Sequence, residues 1–354
     1  MSTLKVDEVS KLYRSASRNG GLTPALRKVS FELSQGEVIS LIGESGSGKT
    51  TIGKLILRLV EPASGSVTFD GKDIAGYSQR GLREYYRQVQ GVFQDPFSSY
   101  NPIYRADRVY ELIREVYYKG VSDKDWNEKI EAALDAVSLN PGDVLGKYPH
   151  QLSGGQQQRL LIARALLLDV KVLVADEIIS MLDASTRVDV LNLLVKLKRQ
   201  GLAILFITHD LSLGNYVSDR TIILRHGAIV EMGSTEKVFG NPRHDYTRML
   251  LSAVPELHKK WRHTPLGPAA VAGTGSAVIV DTAENGPDRS AVSDLAQASM
   301  AEEADHARHV VKRDLRTVFG GRRPVGSASS ALAVALEPPA LTEFEPGHLV
   351  AQPE

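Results

Sequence analysis

Residues 37–60, EVISLIGESGSGKTTIGKLILRLV, carry three patterns in succession. EVISLI is a short apolar run of strand type. GESGSGKT then fits G-x-x-x-x-G-K-[ST] at every position, and TIGKLILRLV spaces apolar residues three and four apart until Pro62. A strand that turns through glycines into the head of a helix makes a cradle for phosphate. The glycines let the chain curl until successive N–H groups face inward, and the helix N-terminus adds partial positive charge. On this reading Gly43, Glu44, Ser45, Gly46, Ser47, Gly48 and Thr51 form the cradle. Lys49 reaches the β- and γ-phosphates of a nucleotide, and the Thr50 hydroxyl ligates Mg²⁺.

Moving outward, VLVADE (172–177) is a second apolar run, and it ends in two acids. Asp176 at the strand end would hold Mg²⁺ through water, and Glu177 would polarise an attacking water. Alone, such a pair reads equally well as a helix cap and its neighbour. Downstream of a complete phosphate loop the nucleotide reading is the stronger. Gln94 in GVFQDP and His209 in LFITHD also end apolar runs, which puts them at the same edge of a parallel sheet. There a γ-phosphate contact is expected of His209. LSGGQQQR (152–159) is a second anion cradle, formed by Ser153 and the N–H groups of Gly154 and Gly155 at the head of an apolar helix.

The order of strands and helices points to a doubly wound α/β sheet. LKVDEVSKLY, LRKVSFEL and GSVTFDG are β-rich, residues 107–139 are helical in pattern, and DVLNLLVKLKRQG is an amphipathic helix closing on Gly201. No internal repeat is visible. Lys and Arg together number 42, as do Asp and Glu, so there is no basic surplus for a general nucleic-acid binder. The absence of cysteine excludes disulfides, thiolate zinc sites and iron–sulfur clusters. Acidic residues near the N-terminus are unlike a signal peptide, and no run of about 18 apolar residues could span a bilayer. A cytosolic chain is expected, with any membrane role supplied by a partner. Beyond Pro255, Ala, Gly, Ser and Pro dominate. Residues 256–340 are expected to be weakly ordered, with one helix-like piece at 302–319, and to be cut first by a protease. The final EPGHLVAQ combines apolar residues with a turn, a composition that permits docking on the preceding domain.

GESGSGKT, VFQDP, LSGGQQQR, VLVADE, SMLD and FITHD, in this order, resemble the ATP-binding cassette ATPases across residues 4–255. The resemblance implies an α/β fold with a P-loop core sheet, an antiparallel β subdomain and a helical subdomain at about 97–165; residues 256–354 would be a C-terminal extension. In that family two cassettes pack head to tail. The LSGGQ of one, here Ser153, Gly154, Gly155 and Gln156, caps the γ-phosphate held by the other's loop. By the same resemblance Tyr13 stacks on adenine, and Gln94 senses Mg²⁺ and the water. Asp183 lies in the loop crossing the dimer interface, and His209 contacts the γ-phosphate. The usual proline after the catalytic glutamate is Ile178 here, which touches the rigidity of that loop and removes no catalytic atom.

FQDPFSSYNP, YPHQLSGGQQQR, GNPRHDYTRMLLSAVP and LTEFEPGHLVAQ resemble the oligopeptide and dipeptide importers. Gln352 stands where related tails carry a cysteine, so any iron–sulfur cluster of relatives cannot form here. Met181, where peptide carriers more often have alanine, resembles oligosaccharide-importing members, and sugar stays open as cargo. The importer reading implies ATP and Mg²⁺, a second cassette, transmembrane permease subunits, and indirectly an extracytoplasmic solute-binding protein. The chain would then sit at the cytoplasmic face of the membrane. The other reading is a soluble cassette ATPase outside transport, in a phosphonate-degrading complex or nucleic-acid machinery. It finds no long coiled-coil insertion, tandem cassette or basic excess here.

Overall fold

The computed structural model describes residues 2–14, 21–253 and 337–352. Their strands are β1 (Ser2–Arg14), β2 (Leu22–Ser34), β3 (Val38–Ile42), β4 (Ser64–Phe69), β5 (Lys72–Asp73), β6 (Val89–Val92), β7 (Val172–Asp176), β8 (Ala203–Thr208), β9 (Arg220–Arg225), β10 (Ala228–Ser234), β11 (Leu341–Glu345) and β12 (His348–Ala351). Their helices are α1 (Lys49–Ile56), α2 (Gln79–Gln88), α3 (Arg108–Tyr117), α4 (Asp123–Ala136), α5 (Pro141–Val144), α6 (Gly154–Leu166), α7 (Ala184–Arg199), α8 (Leu211–Val217), α9 (Thr235–Gly240) and α10 (Asp245–Ser252).

The main sheet runs in the order β11-β12-β10-β9-β3-β8-β7-β6. Its centre is parallel: β3 pairs with β8 and β9, and β7 with β8 and β6. Every residue of β3, β7 and β8 is buried, as parallel strands covered on both faces require. Alternation then divides each strand between two cores. Leu173, Ala175, Ile204 and Phe206 join the core built with α3, α4, α6 and α7. Val172, Val174, Leu205 and Ile207 face the other way, toward α1 and a separate antiparallel sheet of order β2-β1-β4-β5. The parallel strands share one direction, so the segments after β3, β6, β7 and β8 emerge along a single edge.

Three local differences from the sequence expectation have physical causes. The apolar spacing continues to Val60, but α1 stops at Ile56; Leu57 caps it, and Arg58 turns left-handed at φ 51°. The helical stretch 107–139 breaks at Gly120, φ 90°, and restarts when the Ser122 hydroxyl accepts the Asp125 N–H at 3.2 Å. Helix α2, rich in Arg and Tyr, was not expected from the sequence, although Leu82, Tyr85 and Tyr86 lie three and four residues apart and pack on the core. Its Tyr85 is buried edge-on against Phe69, and the hydroxyl donates to the Ile56 carbonyl.

The last described segment joins the main sheet. Strand β12 pairs with β10 through Glu231 opposite Val350 and Met232 opposite Leu349. Glu231 is fully buried, a costly place for a carboxylate unless its lone pairs are met. They are met by the Arg243 and His244 N–H groups at 2.9 and 3.0 Å and by His348 Nε2 at 2.8 Å. Arg243 also lies 4.3 Å above the Phe344 ring. The expected weak order of 256–340 and the helix-like piece at 302–319 fall on residues outside the described ones, apart from 337–340.

Candidate functional site

At the end of β3 the loop's glycines answer different constraints. A side chain at Gly43 would lie 2.2 Å from the Leu224 carbonyl oxygen, so backbone contact forbids one. Gly48 combines a φ of 108° with a position 2.6 Å from the Ala25 carbonyl, and Gly46 has open space but φ 81°. The loop is braced from outside: the Tyr246 hydroxyl accepts the Glu44 N–H at 3.2 Å, and the Ser47 carbonyl accepts the Gly227 N–H at 2.9 Å. Ser47 is buried, its hydroxyl without a partner among the described residues, whereas Ser45 and Thr50 are exposed and Thr51 half-buried.

Lys49 is almost fully buried at the head of α1, and its ammonium donates to the Gly43 and Glu44 carbonyls at 2.7 and 2.8 Å. Burial lowers its pKa, while Glu177, Asp176 and Glu44 act to keep the charge. Asp176 ends β7, buried, with Oδ1 lacking a hydrogen-bond partner among the described residues. Burial raises its pKa and the neighbouring Thr50 hydroxyl holds it down. An orphaned buried carboxylate oxygen beside a hydroxyl suits a small hard cation. Among the described residues no group of three or more His, Cys, Asp or Glu could hold a metal ion. Such a cation would therefore draw its remaining oxygens from phosphate and water, as Mg²⁺ does.

Glu177 follows with φ 50°, a left-handed backbone that a non-glycine residue adopts only when its surroundings hold it there. Its N–H donates to the Ile207 carbonyl at 2.9 Å, and its carbonyl accepts the Ser180 hydroxyl at 2.9 Å. The carboxylate is largely buried and lies 3.3 Å from His209 Nδ1 on the more exposed imidazole just past β8. Gln94 is exposed, two residues beyond β6. Ile178 and Ile179 are both buried in the helical-side core, and Arg187 donates to the Leu182 and Ser180 carbonyls at 2.8 and 3.3 Å. Two buried apolar side chains and an arginine thus anchor this loop. Met181 points outward from it, 57% exposed.

Tyr13 is not a core aromatic. Its ring is 39% exposed near the end of β1, with the Lys11 ammonium 5.4 Å from its centroid. Ser153 and Gln156 form a reciprocal cap on α6: the Ser153 hydroxyl accepts the Gln156 N–H at 3.2 Å, and Gln156 Oε1 accepts the Ser153 N–H at 2.9 Å. No hydrogen bond among the described residues links this cap to the loop at 43–51. Asp183 likewise caps α7, taking the Ser185 hydroxyl at 2.6 Å and the Thr186 N–H and hydroxyl at 2.9 Å each. Those donors hold its carboxyl down at about 2.

The two caps adjoin, because an added Cβ on Gly155 would lie 2.7 Å from Thr186 Cγ2 whereas one on Gly154 would meet nothing. Gly155→Ala is therefore expected to cost about 1–3 kcal/mol by prising α6 from α7. Gly154→Ala should stay within about 1 kcal/mol of wild type, the helix propensity term opposing any loss. Equal thermal midpoints for the two variants would contradict this packing.

The residues that brace the site carried no signal in the sequence. Tyr246 sits in an unremarkable helix, and Leu224 and Ala25 act through backbone carbonyls. Arg164, on α6, donates to the Gly91 carbonyl at 2.7 Å, three residues before Gln94. Its guanidinium is largely buried and meets no carboxylate among the described residues.

Comparison with known proteins places this geometry in company. Residues 26–180 match the family model for ABC transporters, and residues 230–275 match that for the oligopeptide/dipeptide transporter C-terminal region. A putative peptide import ATP-binding protein of Brucella ovis is 44% identical over 254 residues, spanning 71% of this chain and 78% of that protein. An oligopeptide transport ATP-binding protein of Streptococcus mutans is 42% identical over 254 residues, 72% of this chain and 82% of that one. Among solved structures, a dimeric ATP-binding cassette in a post-hydrolysis state with ADP and phosphate superposes with a TM-score of 0.59 at 28% identity, covering 66% of this chain and 98% of that one.

Proposed function

Because this chain belongs to the ABC transporter family of ATPases, we propose that it is the motor subunit of a peptide importer, coupling ATP hydrolysis to uptake through separate membrane permeases. The observation that carries the reading is one sheet edge holding a buried lysine in a phosphate loop, an orphaned carboxylate oxygen beside a hydroxyl, and a glutamate in left-handed backbone. On this proposal the loop 43–51 cradles the phosphates of ATP and Tyr13 offers a ring face to adenine. Lys49 gives up its carbonyl contacts for the β- and γ-phosphates. Thr50, Asp176 and Gln94 would hold Mg²⁺, which neutralises charge on the phosphates when bound. Glu177 takes the proton of the attacking water, and His209, within reach of Glu177 and the edge, orients the γ-phosphate side. Ser153 to Gln156 and the Asp183 loop serve the nucleotide held by a second cassette, identical or paralogous.

No helix among the described residues is long and apolar enough to cross a membrane, so on this proposal the chain works at the cytoplasmic face and the permeases do the spanning. The relatives named for peptide import support peptide cargo. The oligosaccharide alternative has only Met181 to support it. The discriminating experiment purifies the assembled complex and titrates its solute-binding protein with peptide and oligosaccharide panels. Peptide binding is expected, together with ATP-dependent uptake that Lys49→Ala abolishes. Binding of sugars alone would overturn the cargo, and uptake undiminished by Lys49→Ala would overturn the motor.

A further inference from the structure

A cavity of about 300 Å³ lies between β2, the β9–β10 turn, the start of α10 and the C-terminal segment. Arg27, Arg225, His226 and His244 line it, closed by Pro339 and Gln352. None of these residues has a part in the nucleotide site. The turn itself is fixed, with φ 46° at His226 and 79° at Gly227, the paired left-handed residues of a tight hairpin.

The charges on this wall are unanswered. Among the described residues Arg27 Nε donates only to the His226 carbonyl, at 3.1 Å, and Arg225 lies 4.9 Å above the Tyr246 ring. Neither meets a carboxylate among the described residues. Asp245, the acid on the wall, is taken by Arg248 at 2.8 Å. The buried Glu231 nearby is saturated by His348, Arg243 and His244. Burial lowers the pKa of His244, with Glu231 and Asp245 opposing the shift and Arg225 and Arg248 adding to it. Its Nδ1 accepts the Tyr246 N–H at 3.1 Å, so a neutral ring carries its proton on Nε2 and is a donor there. Two guanidinium forks that meet no carboxylate among the described residues, with imidazole donors beside them, are a recognition set for phosphate, whose oxygens take paired N–H bonds. Ligand cavities run from roughly 300 to 1,000 Å³, so this one admits a small molecule and is tight for a nucleoside triphosphate.

We propose that this cavity binds a small phosphorylated anion, a phosphomonoester or diphosphate, as a second site separate from the nucleotide cradle. Its walls come from both the cassette and the C-terminal segment, so an occupant ties residues 337–352 to the domain. It also bears on the phosphate loop, because Arg225 covers Tyr246 and the Tyr246 hydroxyl holds the Glu44 N–H. Reciprocal coupling follows: an occupant that changes ATP affinity must have its own affinity changed equally by ATP.

The test uses the full chain carrying Lys49→Ala, so that the cradle contributes least, titrated calorimetrically with inorganic phosphate, pyrophosphate and glycerol 3-phosphate. Saturable binding in the millimolar range or tighter is expected, weakened about tenfold or more by Arg225→Gln. Gln352→Glu, which sets a carboxylate in the wall, should weaken it comparably while leaving the thermal midpoint of the unliganded chain unchanged, and so decides the matter if Arg225→Gln folds poorly. ATP titrated into the wild type and Lys49→Ala reports on the nucleotide cradle alone, so failure there is separable from failure here. No saturable binding, binding indifferent to both wall substitutions, or binding only to phosphatidate-containing vesicles would each overturn the site.

Discussion

Glu177→Gln is expected to bind ATP as the wild type does and to hydrolyse it about 10² times more slowly or worse. Glutamine keeps the volume and the hydrogen-bonding of the glutamate but cannot take a proton from water, and a positioned base contributes roughly 10²–10⁴ in rate. The surroundings argue that geometry will survive the change. The backbone is pinned by its own N–H to Ile207 and its carbonyl to Ser180, and Ile178 behind it is buried. The side chain keeps a partner too, because His209 Nδ1 at 3.3 Å can pair with an amide as well as with a carboxylate. Nucleotide binding by equilibrium titration and turnover by phosphate release separate the effects. Wild-type turnover in this variant would remove Glu177 from the role of base. Lys49→Ala should differ in kind, losing affinity along with rate, because the ammonium that now rests on two loop carbonyls is the loop's own cation.

The contrast between these residues shows what a single sequence can carry. The cradle was legible because its fixed positions are constrained by contact or conformation: Gly43 and Gly48 meet backbone oxygens that no substitution moves, Gly46 and Gly48 have positive φ, and Lys49 is buried on two loop carbonyls. Strands β3, β7 and β8 were legible because burial on both faces leaves an unbroken apolar run. Helix α2 was not, since only Leu82, Tyr85 and Tyr86 tie it to the core among arginines and other polar side chains. Docking of the C-terminal hairpin depends on Glu231, a carboxylate in an otherwise apolar strand whose partners come from residues 243, 244 and 348. Nothing local marks such a residue as buried. The basic cavity is harder still, being assembled from four segments that are each unexceptional alone. Ile178, where the resemblance implies a proline, is buried in the core together with Ile179, a placement that follows from its apolar character.

A lesion in LSGGQ should be repaired only from another chain. Ser153→Arg places a bulky side chain where donors must approach a neighbour's phosphate to about 3 Å, while the loop at 43–51 is untouched. The variant is expected to bind ATP at its own loop yet hydrolyse poorly. The cap on α6 complicates this substitution, since the Ser153 hydroxyl also accepts the Gln156 N–H, and losing a cap costs about 1 kcal/mol. Ser153→Asp removes the ambiguity. Aspartate caps as well as serine does, so the helix stays intact, but its charge faces the γ-phosphate and hydrolysis should fall as it does for arginine. Mixing then assigns the site. In a dimer of one Lys49→Ala chain and one Ser153→Asp chain, one composite site carries both lesions and the other carries none. Activity absent from either variant alone should therefore return in part on mixing. If the partner cassette is a paralogue, mixing restores nothing, and adding the paralogue to Lys49→Ala or Ser153→Asp leaves a single intact site in each case. Full hydrolysis by Ser153→Asp, both alone and in the assembled complex, would mean that the cap at Ser153 serves only its own helix.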